Sequence, residues 1–155
     1  MPDGEMRLEG PRLIFPALGR VYAPLAPLSY AFMRFATGIV LFPHGVQKVF
    51  FQPIARFAGG IAQHGLPAPY FLAVCTYFSE FVAAACIALG LFTRPAALIV
   101  WLQMTVVIVV FQWQYGYFWT NRGIEYALLW WLLCIAIFFR GGGRYSLDRL
   151  IGWEF

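Results

Sequence analysis

Two charged side chains stand alone inside apolar stretches of this 155-residue chain. Arg34 is the only charged residue within residues 27–46, and Glu80 is the only one within residues 70–91. A charge inside a membrane costs roughly 2.5–3.5 kcal/mol on insertion scales, so such a residue usually has a partner or a function. Both lie near the middle of their segments, and the sequence therefore predicts an ion pair of Arg34 and Glu80 in the core. The pair would either orient two helices or let Glu80 exchange protons with a ligand.

A second polar group follows the first apolar segment in the stretch FPHGVQKVFF, residues 42–51. Lys48 falls on the helix face that begins at Arg34, and His44 lies about 80° from that face at ~100° per residue. Glu125 opens the fourth apolar segment at the same membrane boundary. The sequence predicts a polar pocket of these three residues near the outer boundary. The alternative is three separate roles: a snorkelling lysine, an ordinary interfacial histidine and a carboxylate favoured by the helix dipole.

The connection after the third apolar segment is rich in aromatic residues. Residues 111–121 read FQWQYGYFWTN, with six aromatic side chains among the nine residues up to Trp119. Tryptophan and tyrosine collect at membrane–water interfaces, so the loop is typical of an interfacial belt. The alternative is a lid over the polar pocket, in which Trp113, Tyr117 and Trp119 form a platform for a flat ligand or a partner protein.

The sequence predicts no metal site. His44 and His64 are twenty residues apart, and no cysteine outside the apolar segments accompanies them. Cys75, Cys86 and Cys134 all fall inside apolar segments, where cysteine usually acts as a small apolar side chain. The sequence has no phosphate-binding, haem-attachment or nucleophile-elbow motif. If the protein takes part in a redox reaction, the electrons would therefore have to come from a partner.

The composition indicates which solvent surrounds these residues. The chain is 61% hydrophobic and 12% charged, with a mean hydropathy of +0.70, whereas soluble domains are about 45–50% apolar and about 25% charged. A soluble domain of this length could not bury so much apolar surface. Four apolar segments each supply the ~20 residues of a membrane-spanning helix. The sequence predicts an all-α, integral membrane four-helix bundle with spans at about residues 28–46, 70–91, 95–113 and 121–140.

The remaining segments are predicted to lie at the membrane surface. Residues 1–27 form a cytoplasmic, interfacial lead-in without the pattern of a secretory signal peptide, and residues 141–155 form an interfacial tail in which Ser146 caps a short helix. Seven basic residues flank the side that holds both termini, against three on the other side. The seven are Arg7, Arg12, Arg20, Arg94, Arg140, Arg144 and Arg149, and the three are Lys48, Arg56 and Arg122. The positive-inside rule therefore predicts cytoplasmic N- and C-termini, and the net charge of +4 requires no nucleic-acid partner.

The ordered set of polar residues and turns resembles the DoxX family of small four-helix bacterial membrane proteins. The resemblance covers nearly the whole chain after residue 28. Its elements are Arg34, HGVQK (His44–Lys48), Glu80, ALGLFTRPAAL (residues 88–98), Glu125 and GGGRYSLD (residues 141–148). The resemblance implies a multi-pass protein of the bacterial cytoplasmic (inner) membrane. The candidate site residues that it implies are Arg34, His44, Lys48, Glu80 and Glu125.

Some DoxX members are associated with quinone-linked oxidation of sulfur compounds or with membrane complexes that handle redox stress. The resemblance therefore implies a component of a quinone-linked redox system, in which a quinone head group accepts hydrogen bonds from His44 or Lys48 and Glu80 or Glu125 exchanges protons. Two other functions stay open: a non-catalytic accessory subunit packed against a larger membrane complex, and a carrier for a lipid or small molecule. The partners implied are the bilayer, other membrane subunits or a second copy of the chain. Whether the protein is an enzyme stays open.

Overall fold

The computed structural model describes residues 13–155, so residues 1–12 of the predicted lead-in, with Arg7 and Arg12, lie outside the described part. Within that part the chain folds into helices joined by short turns, and no strand occurs among these residues. The all-α class predicted from the sequence is confirmed.

Seven α-helices make up the described part of the chain. They are α1 (Gly19–Phe51), α2 (Ile54–Gln63), α3 (Pro69–Phe78), α4 (Ala84–Leu89), α5 (Thr93–Val106), α6 (Glu125–Arg140) and α7 (Leu147–Ile151). A π-helical turn, Ser79–Ala83, joins α3 to α4 without a break, and we call the continuous helix Pro69–Leu89 the second rod. A further π-helical turn, Val107–Gln112, extends α5, and we call Thr93–Tyr115 the third rod.

Three helices of the described part are long and apolar enough to cross a membrane: Pro16–Phe51, the second rod and the third rod. They contain 36, 21 and 23 residues, whereas a ~30 Å hydrocarbon core requires ~20. The helix α6 packs beside them with 16 residues, a length of about 24 Å at ~1.5 Å per residue. That the fourth apolar segment also spans the membrane stays a prediction, and so does the count of four spanning helices.

The helix α1 begins nine residues before the predicted start of the first span. It runs from Gly19 through Pro24, Pro27 and Pro43 to Phe51. A proline removes one backbone N–H and can bend a helix, but the turns on either side continue when their own hydrogen bonds hold. Most side chains of residues 19–29 are exposed, so this end of α1 extends beyond the packed core.

Two glycines set how α1 packs against the second rod. A Cβ added to Gly38 would lie 2.9 Å from the Cα of Ala88, and one added to Gly45 would lie 2.5 Å from the carbonyl oxygen of Glu80. Neither position has room for a side chain, so the two backbones approach closely, as small residues allow between membrane helices. The resulting antiparallel register puts Gly45, and not Arg34, at the level of Glu80.

The other helices surround one apolar core. The helix α6 packs along α5, and the indole of Trp130 on α6 donates a hydrogen bond to the carbonyl of Thr37 on α1 at 3.2 Å. The buried members of the core include Leu41, Ile87, Val100, Cys134 and Ile137. The helix α2 lies outside this core and packs against α3 through Ala58 and Ile61.

We expect Gly38→Ala to lower the free energy of unfolding by about 1–3 kcal/mol, the usual cost of forcing an extra methyl group into a packed contact. The matched control is Gly59→Ala on α2, because a Cβ there meets no atom within 4 Å and alanine favours a helix by up to ~1 kcal/mol. Unfolding of the detergent-solubilised protein in sodium dodecyl sulfate measures both variants. Equal stability of the two variants would contradict the backbone contact.

Candidate functional site

A cleft of about 710 Å³ lies between the second rod, the third rod and α2. Each helix contributes one face, with lining residues three or four positions apart. Leu72, Thr76 and Glu80 represent the second rod, Ile99, Gln103 and Val106 the third rod, and Phe57, Gly60 and Ile61 the helix α2, which His64 follows directly. Lys48 and Gln52 enter from the end of α1. The volume falls within the ~300–1,000 Å³ that is usual for small-molecule sites.

The two π-helical turns lie on facing walls of the cleft. Ser79 and Glu80 open the first turn, and Val107 opens the second. A π-helical turn widens the helix locally and changes the direction of its side chains, and such turns are frequent at functional sites. Here the first turn places two consecutive polar residues, Ser79 and Glu80, on the cleft wall.

Four side chains from α1, the second rod and the third rod form a hydrogen-bonded network in the cleft. The Lys48 ammonium donates to one oxygen of the Glu80 carboxylate in a salt bridge, and Gln103 Nε2 donates to the other oxygen at 2.7 Å. The Ser79 hydroxyl donates to Gln103 Oε1 at 2.8 Å and so orients the amide. Glu80 is only 6% exposed. We call Lys48, Glu80, Gln103 and Ser79 the polar network.

The predicted ion pair of Arg34 and Glu80 is wrong. The prediction assumed that both residues lie at the same depth, but the close approach of the backbones sets Gly45 opposite Glu80. Arg34 is eleven residues from Gly45, or about 16 Å along the axis at ~1.5 Å per residue, which is out of reach of the carboxylate. Lys48 is three residues beyond Gly45 and takes the place that was predicted for Arg34.

Arg34 instead holds the opposite end of the second rod. Its guanidinium donates to the carbonyls of Ile87 and Ala88 at 2.5 and 2.9 Å and to the carbonyl of Tyr145 at 2.7 Å. The last carbonyls of a helix carry a partial negative charge and need donors, so a buried cation is well placed there. Arg34 therefore joins α1, the second rod and the tail, which is a structural role.

The tail returns to the turn between α4 and α5 through Asp148. Its carboxylate accepts hydrogen bonds from the backbone N–H groups of Phe92 and Thr93 at 2.6 and 2.9 Å, and from the Thr93 hydroxyl at 2.6 Å. Phe92 has a left-handed backbone, φ 46°, which is unfavourable for a residue with a side chain. Asp148 thus stabilises this turn and caps α5, and the predicted cap of α7 by Ser146 is confirmed.

The structure does not bring His44, Lys48 and Glu125 into one pocket. Lys48 lines the cleft, whereas the His44 ring meets Trp130 on α6, with 6.1 Å between ring centroids. The Glu125 carboxylate accepts a hydrogen bond from the backbone N–H of Trp119 at 3.1 Å. The predicted pocket is divided because α1 contacts the second rod with one face and α6 with the neighbouring face. Neither His44 nor Glu125 lines the cleft.

The aromatic loop does not cover the cleft either. Trp113, Tyr117 and Trp119 are not among the lining residues, and all three side chains are more than half exposed. Trp119 packs on Tyr126 in the first turn of α6, with ring centroids 5.3 Å apart. Backbone hydrogen bonds between residues 116–117 and 124–125 hold the loop in this position. The loop therefore lies against the start of α6.

Two members of the polar network, Gln103 and Ser79, are not among the site residues predicted from the sequence. Gln103 is an amide in the middle of an apolar segment that has no charged residue. A buried amide needs a hydrogen-bond partner, so the sequence itself marks Gln103 as a candidate site residue. Ser79 is marked less clearly, because the hydroxyl of a serine within a helix can bond to its own backbone.

The polar network has hydrogen-bond donors left for a ligand. Lys48 has three N–H donors and the Gln103 amide has two, and each uses one of them on Glu80. Both residues line the cleft. The shared carboxylate holds their remaining donors close together, and the rest of the wall is largely aliphatic and aromatic. The arrangement suits a lipophilic ligand that offers an acceptor, such as a carbonyl oxygen.

Removing one charge of the buried Lys48–Glu80 pair is expected to lower the free energy of unfolding more than removing both charges. Lys48→Met leaves the Glu80 carboxylate without its cation and should lower the free energy of unfolding by about 3–5 kcal/mol. Lys48→Met/Glu80→Gln removes both charges and keeps an acceptor for Gln103, so its loss should be clearly smaller than that of the single variant. Unfolding in sodium dodecyl sulfate measures both. If the double variant were the less stable of the two, the direct pair would be refuted.

Asp148→Asn is expected to loosen the tail, because asparagine offers one acceptor oxygen where the carboxylate offers two. A hydrogen bond to a charged group contributes about 1.5–3 kcal/mol, so the open tail should become ~tenfold more populated or more. Trypsin cleavage after Arg144 and Arg149 should accelerate by a similar factor. The control is Glu154→Gln, because Glu154 is exposed, lies 3.7 Å from Arg94, and as glutamine keeps an acceptor oxygen for the backbone N–H of Gly142. Equal cleavage rates for the two variants would argue against the capping role.

The comparisons with known proteins agree with the membrane class. The sequence pattern of the DoxX family matches residues 29–113, which is more than half of the chain. An uncharacterized membrane protein of Mycobacterium tuberculosis (strain ATCC 25618 / H37Rv) is 29% identical over 144 residues, covering 86% of this chain and 88% of that protein. No solved structure matches the chain.

The family match and the three candidate spans together identify a multi-pass inner-membrane protein. The matched region contains the last two thirds of α1, the second rod and most of the third rod, and therefore the whole polar network. The resemblance noted in the sequence is confirmed, and the chain belongs to the DoxX family.

Proposed function

We propose that this protein is the quinone-binding membrane component of a quinone-linked redox system, with the quinone head group in the cleft beside the polar network. The observation that carries the proposal is the pair of donors, Lys48 and Gln103, held on one carboxylate inside an apolar cleft. The family resemblance supports the same ligand. The proposed site differs from the one predicted from the sequence, because Glu80 and Gln103 replace His44 and Glu125 as the neighbours of Lys48.

The cleft fits a flat ring that carries an apolar substituent. A quinone carbonyl would accept hydrogen bonds from Lys48 and Gln103, and the ring would contact side chains such as Phe57, Ile61 and Ile99 on the surrounding walls. Burial of the ring against these side chains favours binding through the hydrophobic effect, and the two hydrogen bonds set its orientation.

The charge balance beside the polar network favours a neutral head group. Lys48 and Glu80 neutralise each other there, and the additional charge of Arg56 lies at the exposed end of the cleft. An anionic ligand would bring a second negative charge next to the Glu80 carboxylate inside the membrane, where the low dielectric constant strengthens repulsion. A quinone carbonyl accepts the same hydrogen bonds without adding a charge.

Lys48 is also placed to supply a proton. Reduction of a quinone to the quinol consumes two electrons and two protons, and the electrons would come from a redox partner protein. The Lys48 ammonium would donate the hydrogen bond and one of the two protons at the carbonyl oxygen. The second proton, and the one that recharges Lys48, would come from water at the exposed end of the cleft, which Arg56 and His64 line. The Glu80 carboxylate would hold Lys48 in position, and Gln103 would hold Glu80.

A non-catalytic accessory role is the second candidate, and it rests on the aromatic loop. Trp113 is 68% exposed, and Tyr117 and Trp119 are each 53% exposed. Aromatic side chains are enriched at protein interfaces and at membrane interfaces. In this role the loop binds a larger membrane complex.

The accessory role is tested by co-purification of the wild type and of Trp113→Ala/Trp119→Ala. Another membrane protein that co-purifies in stoichiometric amount with the wild type, and not with the variant, would favour the accessory role over the quinone site.

Filling the cleft is expected to weaken quinone binding. Gly60 lines the cleft from α2, and a Cβ there meets no atom within 4 Å, so Gly60→Phe can place its ring in the cleft without a backbone clash. The matched control is Gly59→Phe, because the neighbouring glycine is equally free of contacts and does not line the cleft. We expect at least ~tenfold weaker binding for Gly60→Phe, equivalent to about 1.4 kcal/mol, and unchanged binding for Gly59→Phe.

The binding constants can be measured from the quenching of tryptophan fluorescence by a short-tailed naphthoquinone in phospholipid nanodiscs. Gln103→Leu should also weaken binding, because it removes one of the two donors while keeping a similar side-chain volume. Wild-type protein that binds no quinone, or equal binding by Gly59→Phe and Gly60→Phe, would refute the proposed site.

A further inference from the structure

The cleft is open on the side that faces away from the protein core. Leu102 is 55% exposed and Val106 is 39% exposed, and both line the cleft from the third rod. Cys75 of the second rod is exposed as well and lines the facing edge. We call these three residues the rim. The gap between the two rods therefore opens away from the protein core at the rim.

The rim lies at the depth of the hydrocarbon. Leu102 is nine residues from Thr93 and thirteen from Tyr115, the two ends of the third rod. At ~1.5 Å per residue these separations are about 14 and 20 Å, so Leu102 lies near the middle of a ~30 Å core. Cys75 is six residues from Pro69 and fourteen from Leu89, the two ends of the second rod, or about 9 and 21 Å, so it also lies within the core. An opening at this depth meets acyl chains.

We propose that the cleft is filled sideways from the membrane, through the gap between the second and third rods, by a ligand with a long apolar tail. The acceptor of its head group binds Lys48 and Gln103, and its tail leaves over Leu102 and Val106 into the lipid. The identity of the head group rests on the proposed quinone function. The lateral opening itself depends only on the rim.

The end of the cleft formed by α2 has a different character. Arg56 and His64 line it and are exposed, and Gln52 lines the cleft as well. A water-soluble ligand would enter at this polar end and would gain nothing from an aliphatic rim in the middle of the third rod. A long tail gains from that rim, because its methylene groups stay out of water along the whole path.

The preference for a ligand with a long apolar tail is tested with two quinones that share one head group. One has a short prenyl tail and the other a long one. Binding is compared in phospholipid nanodiscs at equal concentration in the lipid phase. Lateral entry predicts that the long-tailed quinone binds at least as tightly as the short-tailed one. Leu102→Trp narrows the rim and should weaken binding of the long-tailed quinone ~tenfold or more. The matched control is Leu132→Trp, because Leu132 of α6 is 53% exposed and does not line the cleft.

Cys75 provides a test that needs no quinone. A lipid-soluble maleimide should modify Cys75, a membrane-impermeant charged maleimide should not, and Leu102→Trp should slow the first reaction several-fold relative to Leu132→Trp. Mass spectrometry of the peptides distinguishes Cys75 from Cys86 and Cys134, which are half-buried and buried.

Different results would overturn lateral entry and the quinone function. If the short-tailed quinone binds and the long-tailed one is excluded, lateral entry is overturned and the quinone site stands. Modification of Cys75 by the charged maleimide, or equal effects of Leu102→Trp and Leu132→Trp, would also overturn lateral entry. If neither quinone binds and Cys75 reacts only with the lipid-soluble maleimide, the quinone function is overturned and the lateral opening stands.

Discussion

The close approach of Gly45 to the backbone of Glu80 is the constraint on which the rest of the structure depends. No side chain fits between the two backbones at this point, so α1 and the second rod meet in one register. That register decides the partners of both buried cations, because it lets Lys48 reach Glu80 and lets Arg34 reach the last carbonyls of α4. A shift by one helical turn, about 5.4 Å, would leave charges without partners inside the membrane, which is strongly unfavourable.

The two buried cations use their donors for different purposes. The Arg34 guanidinium donates to three carbonyls from the second rod and the tail, and Asp148 completes this junction by capping α5. The donors of Lys48 and Gln103 are only partly used within the protein, and the unused ones belong to residues that line the cleft. Buried polar groups need hydrogen-bond partners. Carbonyls of the protein accept three of the Arg34 donors at the junction near the tail, whereas the cleft keeps a set of donors that a ligand can complete.

Much of the fold could be predicted from the sequence, because apolar length and turn chemistry are local properties. Arg34, Lys48 and Glu80 could also be recognised as groups that need partners, since isolated charges stand out in apolar segments. Their pairing could not be predicted from the centres of the segments, because α1 begins at Gly19 and is displaced along its axis relative to the second rod. Gln103 was harder to recognise, because an uncharged amide costs less in lipid than a charge and gives a weaker signal.

By itself, the sequence determined the lipid solvent, the helical class, the family and the set of polar groups that lipid cannot solvate. Only the tertiary structure decided which of these groups meet. Lys48 binds a carboxylate 32 residues away, Gln103 binds the same carboxylate across 23 residues, and Asp148 caps a helix 55 residues away. A local pattern specifies a helix and its apolar face. The axial register and rotation of one helix against another depend on where small residues let two distant backbones touch, and that depends on both chain segments at once.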